Sequence, residues 1–226
     1  MARESYQEQL DSMQEDVLYM SEVVIDRLRM ALEAMETKDE ELAQRVIEGD
    51  DEINDLYLDL EQDCIDLLAL QQPVAGDLRL IASSFKIITD LERIGDLATN
   101  LGEHTLDADR DMFPEVDINA IGDLTVEMVE DAMEAYEHED VDRCYEIAAR
   151  DDDLDELCAD ASRAVVRDLI ETELGEEATE EEVEDLMQDV SRMLLTVRDL
   201  ERVGDHAVNI SARTLYMVEK DDELIY

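Results

Sequence analysis

A twelve-residue segment occurs twice in this chain of 226 residues. Residues 90–101 read DLERIGDLATNL, and residues 199–210, which start 109 positions later, read DLERVGDHAVNI. Eight of the twelve positions are identical, and two others exchange one aliphatic residue for another. A repeat separated by about half the chain indicates two similar halves, each built around its own copy of the segment.

A second pair of segments supports the duplication. Residues 50–56 read DDEINDL, and residues 151–157, at an offset of 101, read DDDLDEL. The two offsets differ by eight residues, which places an insertion in the loop between the second and third helices of the second half. Insertions are tolerated best in loops. The chain is therefore predicted to consist of two units, residues 1–111 and 112–226.

Apolar residues follow helical spacing through most of the chain. The first stripe steps by three and four residues through Leu10, Met13, Val17, Met20, Val24 and Leu28. The predicted helices cover about residues 4–36, a second stripe from Ile53 to Leu67, and about residues 77–107, 118–137, 139–172 and 180–219. Thr179, followed three residues later by Glu182, is the predicted N-cap of the last helix. Two Pro and seven Gly are too few for a protein of many short strands. These features predict an all-α fold of two tandem antiparallel three-helix bundles.

The chain carries a formal charge of −47, from 65 acidic residues against 18 Lys and Arg. This balance excludes nucleic-acid binding, which needs cationic contacts to phosphates, and argues against binding to an anionic membrane surface. Self-repulsion of this size destabilises a compact state at low ionic strength. At about 1 M salt the Debye length falls to roughly 3 Å, which removes most of that penalty. The composition therefore indicates adaptation to high salt and a halophilic source.

The cellular location is predicted from the cysteines and from the apolar runs. Cys64, Cys144 and Cys158 form no CxxC pair and lie within helical patterns, as expected for reduced core residues. No uncharged apolar run approaches the 18 residues of a membrane span. Residues 1–17 also lack the apolar segment of a signal peptide. We therefore expect a cytoplasmic protein without direct membrane insertion.

Acidic residues recur four positions apart on the predicted helices, which places both members of each pair on one helix face. The candidate pairs are Asp51 with Asp55 and Glu92 with Asp96 in the first half, and Asp152 with Glu156 and Glu201 with Asp205 in the second. If consecutive helices pack antiparallel, the two pairs of each half can approach one another. Converging carboxylates repel unless a cation lies among them, and carboxylates bind hard and borderline cations well. The pattern therefore predicts one metal site in each half.

An alternative interpretation remains for each pair, because a solvated helix face in so acidic a chain also contains acids four residues apart. The duplication favours a site, since a solvated face does not need the same local sequence in both halves. Gly95 and Gly204 add to this, because a glycine inside a helix costs roughly 1 kcal/mol relative to alanine. Keeping it twice predicts a close approach of a neighbouring helix, and of its backbone in particular.

Other residues of the duplicated segment have different predicted roles. Asp90 and Asp199 fall within the apolar arc and are expected to be buried and paired rather than to bind metal. Arg93 and Arg202 lie beside the acids, where they can either hold the acids in place or receive an anion. His206 replaces Leu97 on the apolar side, and we expect a hydrogen-bonded core histidine rather than a ligand.

At these residues the chain resembles the PhoU family of phosphate-uptake regulators. The segment QQPVAGDLRLI at residues 71–81 is similar to the family's first-half hallmark, and the duplicated segment is similar to its paired third-helix motifs. The resemblance implies tandem three-helix bundles and metal ions, often multinuclear iron clusters, bound at the eight acids named above. The second half lacks a counterpart of residues 72–79. Any function of that motif is therefore expected in the first half only.

The resemblance also implies partners. It suggests a non-enzymatic, homodimeric negative regulator that contacts the ATPase subunit of a phosphate ABC transporter and a sensor or transcriptional regulator. One alternative is a structural helical adaptor whose acids serve only salt adaptation. Another is a di-iron carboxylate enzyme, but that chemistry uses Glu-x-x-His pairs, and no Glu here has a His three residues later.

Overall fold

The computed structural model describes residues 2–70, 74–107, 116–171 and 179–224. Seven helices occupy this part of the chain: α1 Ala2–Thr37, α2 Glu40–Glu48, α3 Asp50–Leu70, α4 Ala75–Leu106, α5 Ile118–His138, α6 Val141–Glu171 and α7 Glu180–Glu219. The described residues include no strand, and the all-α prediction is confirmed. The predicted boundary between the halves, between residues 111 and 112, lies outside the described ranges.

The two halves begin their second helices in the same way. Lys38 and Glu139, 101 positions apart, both adopt the left-handed conformation with φ 55°. The next residue in each half is an aspartate that caps the following helix: Asp39 accepts a hydrogen bond from the backbone of Leu42 at 2.9 Å, and Asp140 accepts one from Arg143 at 3.1 Å. An aspartate side chain at this position satisfies one of the free N–H groups of the first turn. The 101-residue offset thus extends back to the ends of α1 and α5.

The predicted second stripe, Ile53 to Leu67, lies within α3, and the short helix α2, which that stripe did not include, precedes it across a break at Gly49. The N–H of Gly49 donates to the carbonyls of Arg45 and Val46 and ends α2. The side chain of Arg27 crosses this break, donating to the carbonyl of Arg45 at 2.9 Å and to Glu52 at 3.0 Å. A Cβ atom on Gly49 would overlap the Arg27 guanidinium. The second half has Arg150 at the equivalent position, and α6 continues through it.

The halves form two bundles, each with three long helices, that share one core. Helices α1 to α4 make the first bundle and α5 to α7 the second, and α4 lies against α7. One apolar cluster contains residues of both, among them Leu91 and Ile94 of α4 and Val203 of α7. Ser84 of α4 and Tyr136 of α5 also share a buried hydrogen bond of 2.7 Å. The bundles are therefore packed together through apolar surface and are not independent units on a linker.

Both mid-helix glycines lie where another helix approaches closely, as predicted. A Cβ atom on Gly95 would lie 2.9 Å from Cδ1 of Ile53, and one on Gly204 would overlap Cδ2 of Leu154. The approaching group is a side chain rather than the backbone that the sequence suggested. Ile53 and Leu154 are equivalent in the 101-residue offset, so the same contact positions α3 on α4 and α6 on α7.

Several local predictions can be checked directly. Thr179 caps α7 as expected: its hydroxyl accepts from the N–H of Glu182 at 3.2 Å, and the Glu182 carboxylate accepts from the N–H of Thr179 at 2.9 Å. The three cysteines are buried and form no disulfide. Within the described ranges, no helix combines the length and apolarity needed to cross a bilayer.

Candidate functional site

Each of the third helices carries one predicted acid pair: α4 carries Glu92 and Asp96, and α7 carries Glu201 and Asp205. Burial raises the pKa of Glu92, and the charge of Asp96 raises it further. The equivalent pair on α7 behaves in the same way: burial and then the charges of Asp155 and Asp205 raise the pKa of Glu201. These four residues were predicted from the sequence, and the structure places each pair on one helix face beside a further acid.

In the second half, the additional acids come from α6 at Asp151 and Asp155. Burial raises the pKa of Asp151 to about 6, and the nearby charges of Asp155, Asp205, Asp152 and Glu201 contribute, in that order. The charge of Asp155 is also the largest electrostatic cause of the raised pKa values of Glu201 and Asp205. Asp151, Asp155, Glu201 and Asp205 therefore form one mutually repelling group, which we call the second acidic site.

In the first half, the equivalent group contains three carboxylates and an amide. Asp50 of α3 accepts a hydrogen bond from the Thr99 hydroxyl of α4 at 3.2 Å and another from Asn54 at 2.8 Å. Its charge raises the pKa of Asp96 after burial, and it contributes less to the raised pKa of Glu92. Asn54 stands where the second half has Asp155. We call Asp50, Asn54, Glu92 and Asp96 the first acidic site.

Some acids of α3 and α6 interact electrostatically with the acids of α4 and α7. These are Asp50, Asp151 and Asp155, and each lies one residue before a predicted position. The predicted residues Asp51, Asp55, Asp152 and Glu156 are all exposed. None of them contributes to the raised pKa values of the acids on α4 and α7. One residue corresponds to a rotation of about 100° around a helix, and the packing of Ile53 and Leu154 against the two glycines sets that rotation. Asp51 and Asp152 are as identical between the duplicated segments as Asp50 and Asp151 are, so the sequence offered no signal that distinguishes the two registers.

The donor chemistry of the second acidic site suits a hard cation, but the side chains are not arranged as a coordination sphere. Asp151 Oδ1 is buried and has no hydrogen-bond partner, and all four side chains offer oxygen donors. Among the described residues, however, no three His, Cys, Asp or Glu side chains converge closely enough to hold a metal ion. Binding a cation here would therefore require side-chain rotation on α6 and α7.

Two basic side chains act on acids of both halves. Arg202 lowers the pKa of both Asp96 in the first half and Asp205 in the second. His206 likewise lowers the pKa of Glu92 and of Asp205. The two sites therefore share these electrostatic neighbours and are not electrically isolated from each other.

The aspartates predicted to be paired are indeed paired, each with a histidine of the other bundle. His206 Nδ1 lies 2.9 Å from Asp90 Oδ1, and His104 Nε2 lies 3.2 Å from Asp199 Oδ2. His206 is half-buried and hydrogen-bonded, as expected. The role of His104 was missed, because it lies near a helix end and depends on how α4 packs against α7.

Comparison with known proteins places these features in a family. The model of the PhoU domain matches residues 17–105 and again residues 118–214. The chain belongs to the PhoU family. The duplicated acidic helices are thus the third helices of its two PhoU domains.

Individual relatives agree with this assignment. The phosphate-specific transport system accessory protein PhoU of Escherichia coli is 30% identical, with 95% of this chain and 85% of the relative covered. A PhoU homologue of Clostridium acetobutylicum is 29% identical, and 96% of each chain is covered. The crystal structure of PhoU from Pseudomonas aeruginosa superposes with a TM-score of 0.87 at 30% identity, covering 96% of this chain and all of that one.

Proposed function

We propose that this protein is a non-enzymatic negative regulator of phosphate uptake that acts by contact with the ATPase subunit of a phosphate ABC transporter. The observation that carries the proposal is the match of both halves to the PhoU domain, together with relatives named as accessory proteins of a phosphate-specific transport system. A sensor or transcriptional regulator is a second proposed partner. We also propose a cytoplasmic location and a homodimer.

Deletion of the gene in the source organism tests this role. Cells lacking the protein are expected to keep taking up radiolabelled phosphate rapidly in phosphate-rich medium, and reintroducing the gene is expected to restore repression. Unchanged uptake in the deletion strain would contradict the proposal.

The metal sites that we propose use the acids of the two acidic sites defined above. Asp151, Asp155, Glu201 and Asp205 would hold a cation in the second half, and Asp50, Glu92 and Asp96 would do so in the first. A di- or trivalent cation neutralises carboxylates that otherwise raise one another's pKa. Ligation by oxygen alone favours iron(III), manganese or magnesium over structural zinc. The second site has the larger electrostatic need for a cation, because Asn54 replaces one carboxylate in the first.

A structural adaptor without metal is the second candidate. The observation in its favour is that no described group of acids, cysteines or histidines is preformed as a coordination sphere. The two candidates differ in metal content, which is measured on protein purified without chelator.

A further inference from the structure

Three pairs of exposed apolar side chains occupy equivalent positions in the two halves. Fifteen large apolar side chains are exposed in the described part of the chain. When the offsets of 101 and 109 are applied, six of them fall into matched pairs: Ile65 with Val166, Val74 with Val183, and Leu78 with Met187. Exposed apolar residues are ordinary when scattered singly, but these recur in register.

The exposed fractions within each pair are similar. They are 46% and 45% for Ile65 and Val166, 54% and 39% for Val74 and Val183, and 47% and 51% for Leu78 and Met187. None of the other nine has an exposed large apolar residue at its equivalent position. Leu195, for example, corresponds to Lys86, and Leu106 corresponds to the buried Leu215. Apolar character has thus been kept at these surface positions, whereas the other exposed large apolar residues have no exposed apolar equivalent.

All three pairs lie at the ends of helical hairpins. Ile65 is within two turns of the end of α3, Val74 directly precedes α4, and Leu78 lies in the first turn of α4. Val166, Val183 and Met187 occupy the corresponding ends of α6 and α7. We call Ile65, Val74 and Leu78 the first tip, and their three equivalents the second tip.

The two tips lie at opposite ends of the molecule. Helices α4 and α7 run antiparallel, since Arg79 donates to the carbonyl of Met217 at 3.2 Å and Arg192 donates to the carbonyl of Asp107. Each helical residue rises 1.5 Å. The path from Leu78 to the end of α4, continued in the same direction along α7 to Met187, is therefore roughly 50 Å long. The molecule therefore presents three apolar side chains at equivalent positions at both of its ends, related by internal twofold pseudo-symmetry, although the other residues of 72–79 have no counterpart in the second half.

Exposed carboxylates flank both tips. Asp63 and Asp66 accompany Ile65 on α3, and Glu181 and Glu184 lie among the apolar residues of the second tip on α7. Apolar side chains among carboxylates complement an apolar surface flanked by Arg or Lys. At molar salt the charges are screened beyond roughly 3 Å, so the apolar contact supplies the affinity and the charges select the partner.

We propose that the two tips are equivalent docking surfaces, each binding one copy of the same partner through an apolar surface flanked by Arg or Lys. A pseudo-twofold protein with two such surfaces fits a partner that is itself present twice. This inference rests on the proposed function, because it specifies how the transporter ATPase subunit is engaged.

The test measures stoichiometry and affinity with the purified ATPase subunit by light scattering and calorimetry in molar KCl. Wild-type protein is expected to bind two ATPase subunits per chain. The variants Val74→Ser/Leu78→Ser and Val183→Ser/Met187→Ser are each expected to bind one, and the combined variant is expected to lose at least tenfold in affinity. The matched control, Tyr19→Ser/Leu195→Ser, changes equally exposed residues that lack equivalents and should still bind two.

The outcomes are separable. If wild-type protein binds but the tip variants still bind two subunits, or if wild-type protein binds only one, the inference is overturned and the proposed function stands. If wild-type protein binds none, both fail. Because all the substituted side chains are exposed, circular dichroism is expected to remain helical in every variant.

Discussion

Leu154 of α6 occupies the space that a side chain on Gly204 of α7 would need. Leu154 is fully buried, so it cannot move into solvent to make room for a larger neighbour. The same relationship, with slightly more room, joins Ile53 to Gly95. These contacts bring each acid-bearing second helix onto the acid-bearing third helix, and so hold the carboxylates together.

The variant Gly204→Ala is therefore expected to be less stable. Alanine gains about 1 kcal/mol of helix propensity over glycine, but crowding a packed core costs about 1–3 kcal/mol. We expect a net loss of up to about 2 kcal/mol in the free energy of unfolding, measured by urea denaturation in molar KCl. The matched control is Gly76→Ala in the first turn of α4, where a Cβ would meet nothing within 4 Å. Equal stability of the two variants would contradict the proposed packing role.

Asp151→Asn is expected to stabilise the metal-free protein at neutral pH. Because burial and neighbouring acids raise the pKa of Asp151 to about 6, the folded state binds this proton more tightly than the unfolded state. Its ionisation thus costs stability as the pH rises from about 4 to 6, and the cost is complete above pH 6. With solvent screening of this half-exposed site, the gain at pH 7 is about 1 kcal/mol.

The gain from Asp151→Asn should disappear near pH 4, where the wild-type carboxyl is protonated in the folded state. Denaturation with chelator present, at both pH values, measures it. The control is Asp152→Asn, which changes the next residue, an exposed acid. An equal gain from that variant would show that general charge reduction, and not the acidic site, is responsible.

Each acidic site is expected to bind its own metal, so that a variant lacking one site keeps the metal of the other. We expect Glu92→Ala/Asp96→Ala and Glu201→Ala/Asp205→Ala each to lose roughly half of the metal measured by mass spectrometry, while remaining helical. Chelator should remove the metal without unfolding the protein at high salt, because the acids lie at the surface. Wild-type protein free of metal, or one variant that loses metal from both halves, would contradict the two-site proposal.

The register of the sites can be tested in the same experiment. Asp151→Ala is expected to reduce metal content in the second half, whereas Asp152→Ala is not. The reason is that Asp151, unlike the exposed Asp152, carries a buried carboxylate oxygen without a hydrogen-bond partner. The opposite result would restore the register predicted from the sequence alone.

Folding should depend on high ionic strength. A net charge of −47 makes self-repulsion the dominant electrostatic cost, and at about 0.05 M salt screening extends beyond 10 Å. The helical circular dichroism signal is expected to fall when KCl is dialysed from molar concentration to that value. A protein that is equally helical and equally stable at both concentrations would remove the case for a halophilic source.

Local and periodic features could be predicted from the sequence, because neighbouring residues determine them. The duplication identified equivalent helices, the apolar stripes predicted their type, and the Thr179–Glu182 pair marked the start of α7. The acid pairs Glu92–Asp96 and Glu201–Asp205 were placed correctly on one face each, since both members lie on the same helix and need only its 100° rotation per residue.

Features that depend on contacts between helices required the tertiary structure. The Arg27 side chain crosses the break at Gly49, which neither residue's neighbours reveal. Asp50 and Asp151, rather than Asp51 and Asp152, act on the third helices because apolar packing against Gly95 and Gly204 sets the rotation of α3 and α6. The pairing of His104 with Asp199 requires the antiparallel packing of α4 on α7. Sequence periodicity determines which face of a helix is apolar, but only side-chain packing between helices determines the rotation at which that face meets its neighbour.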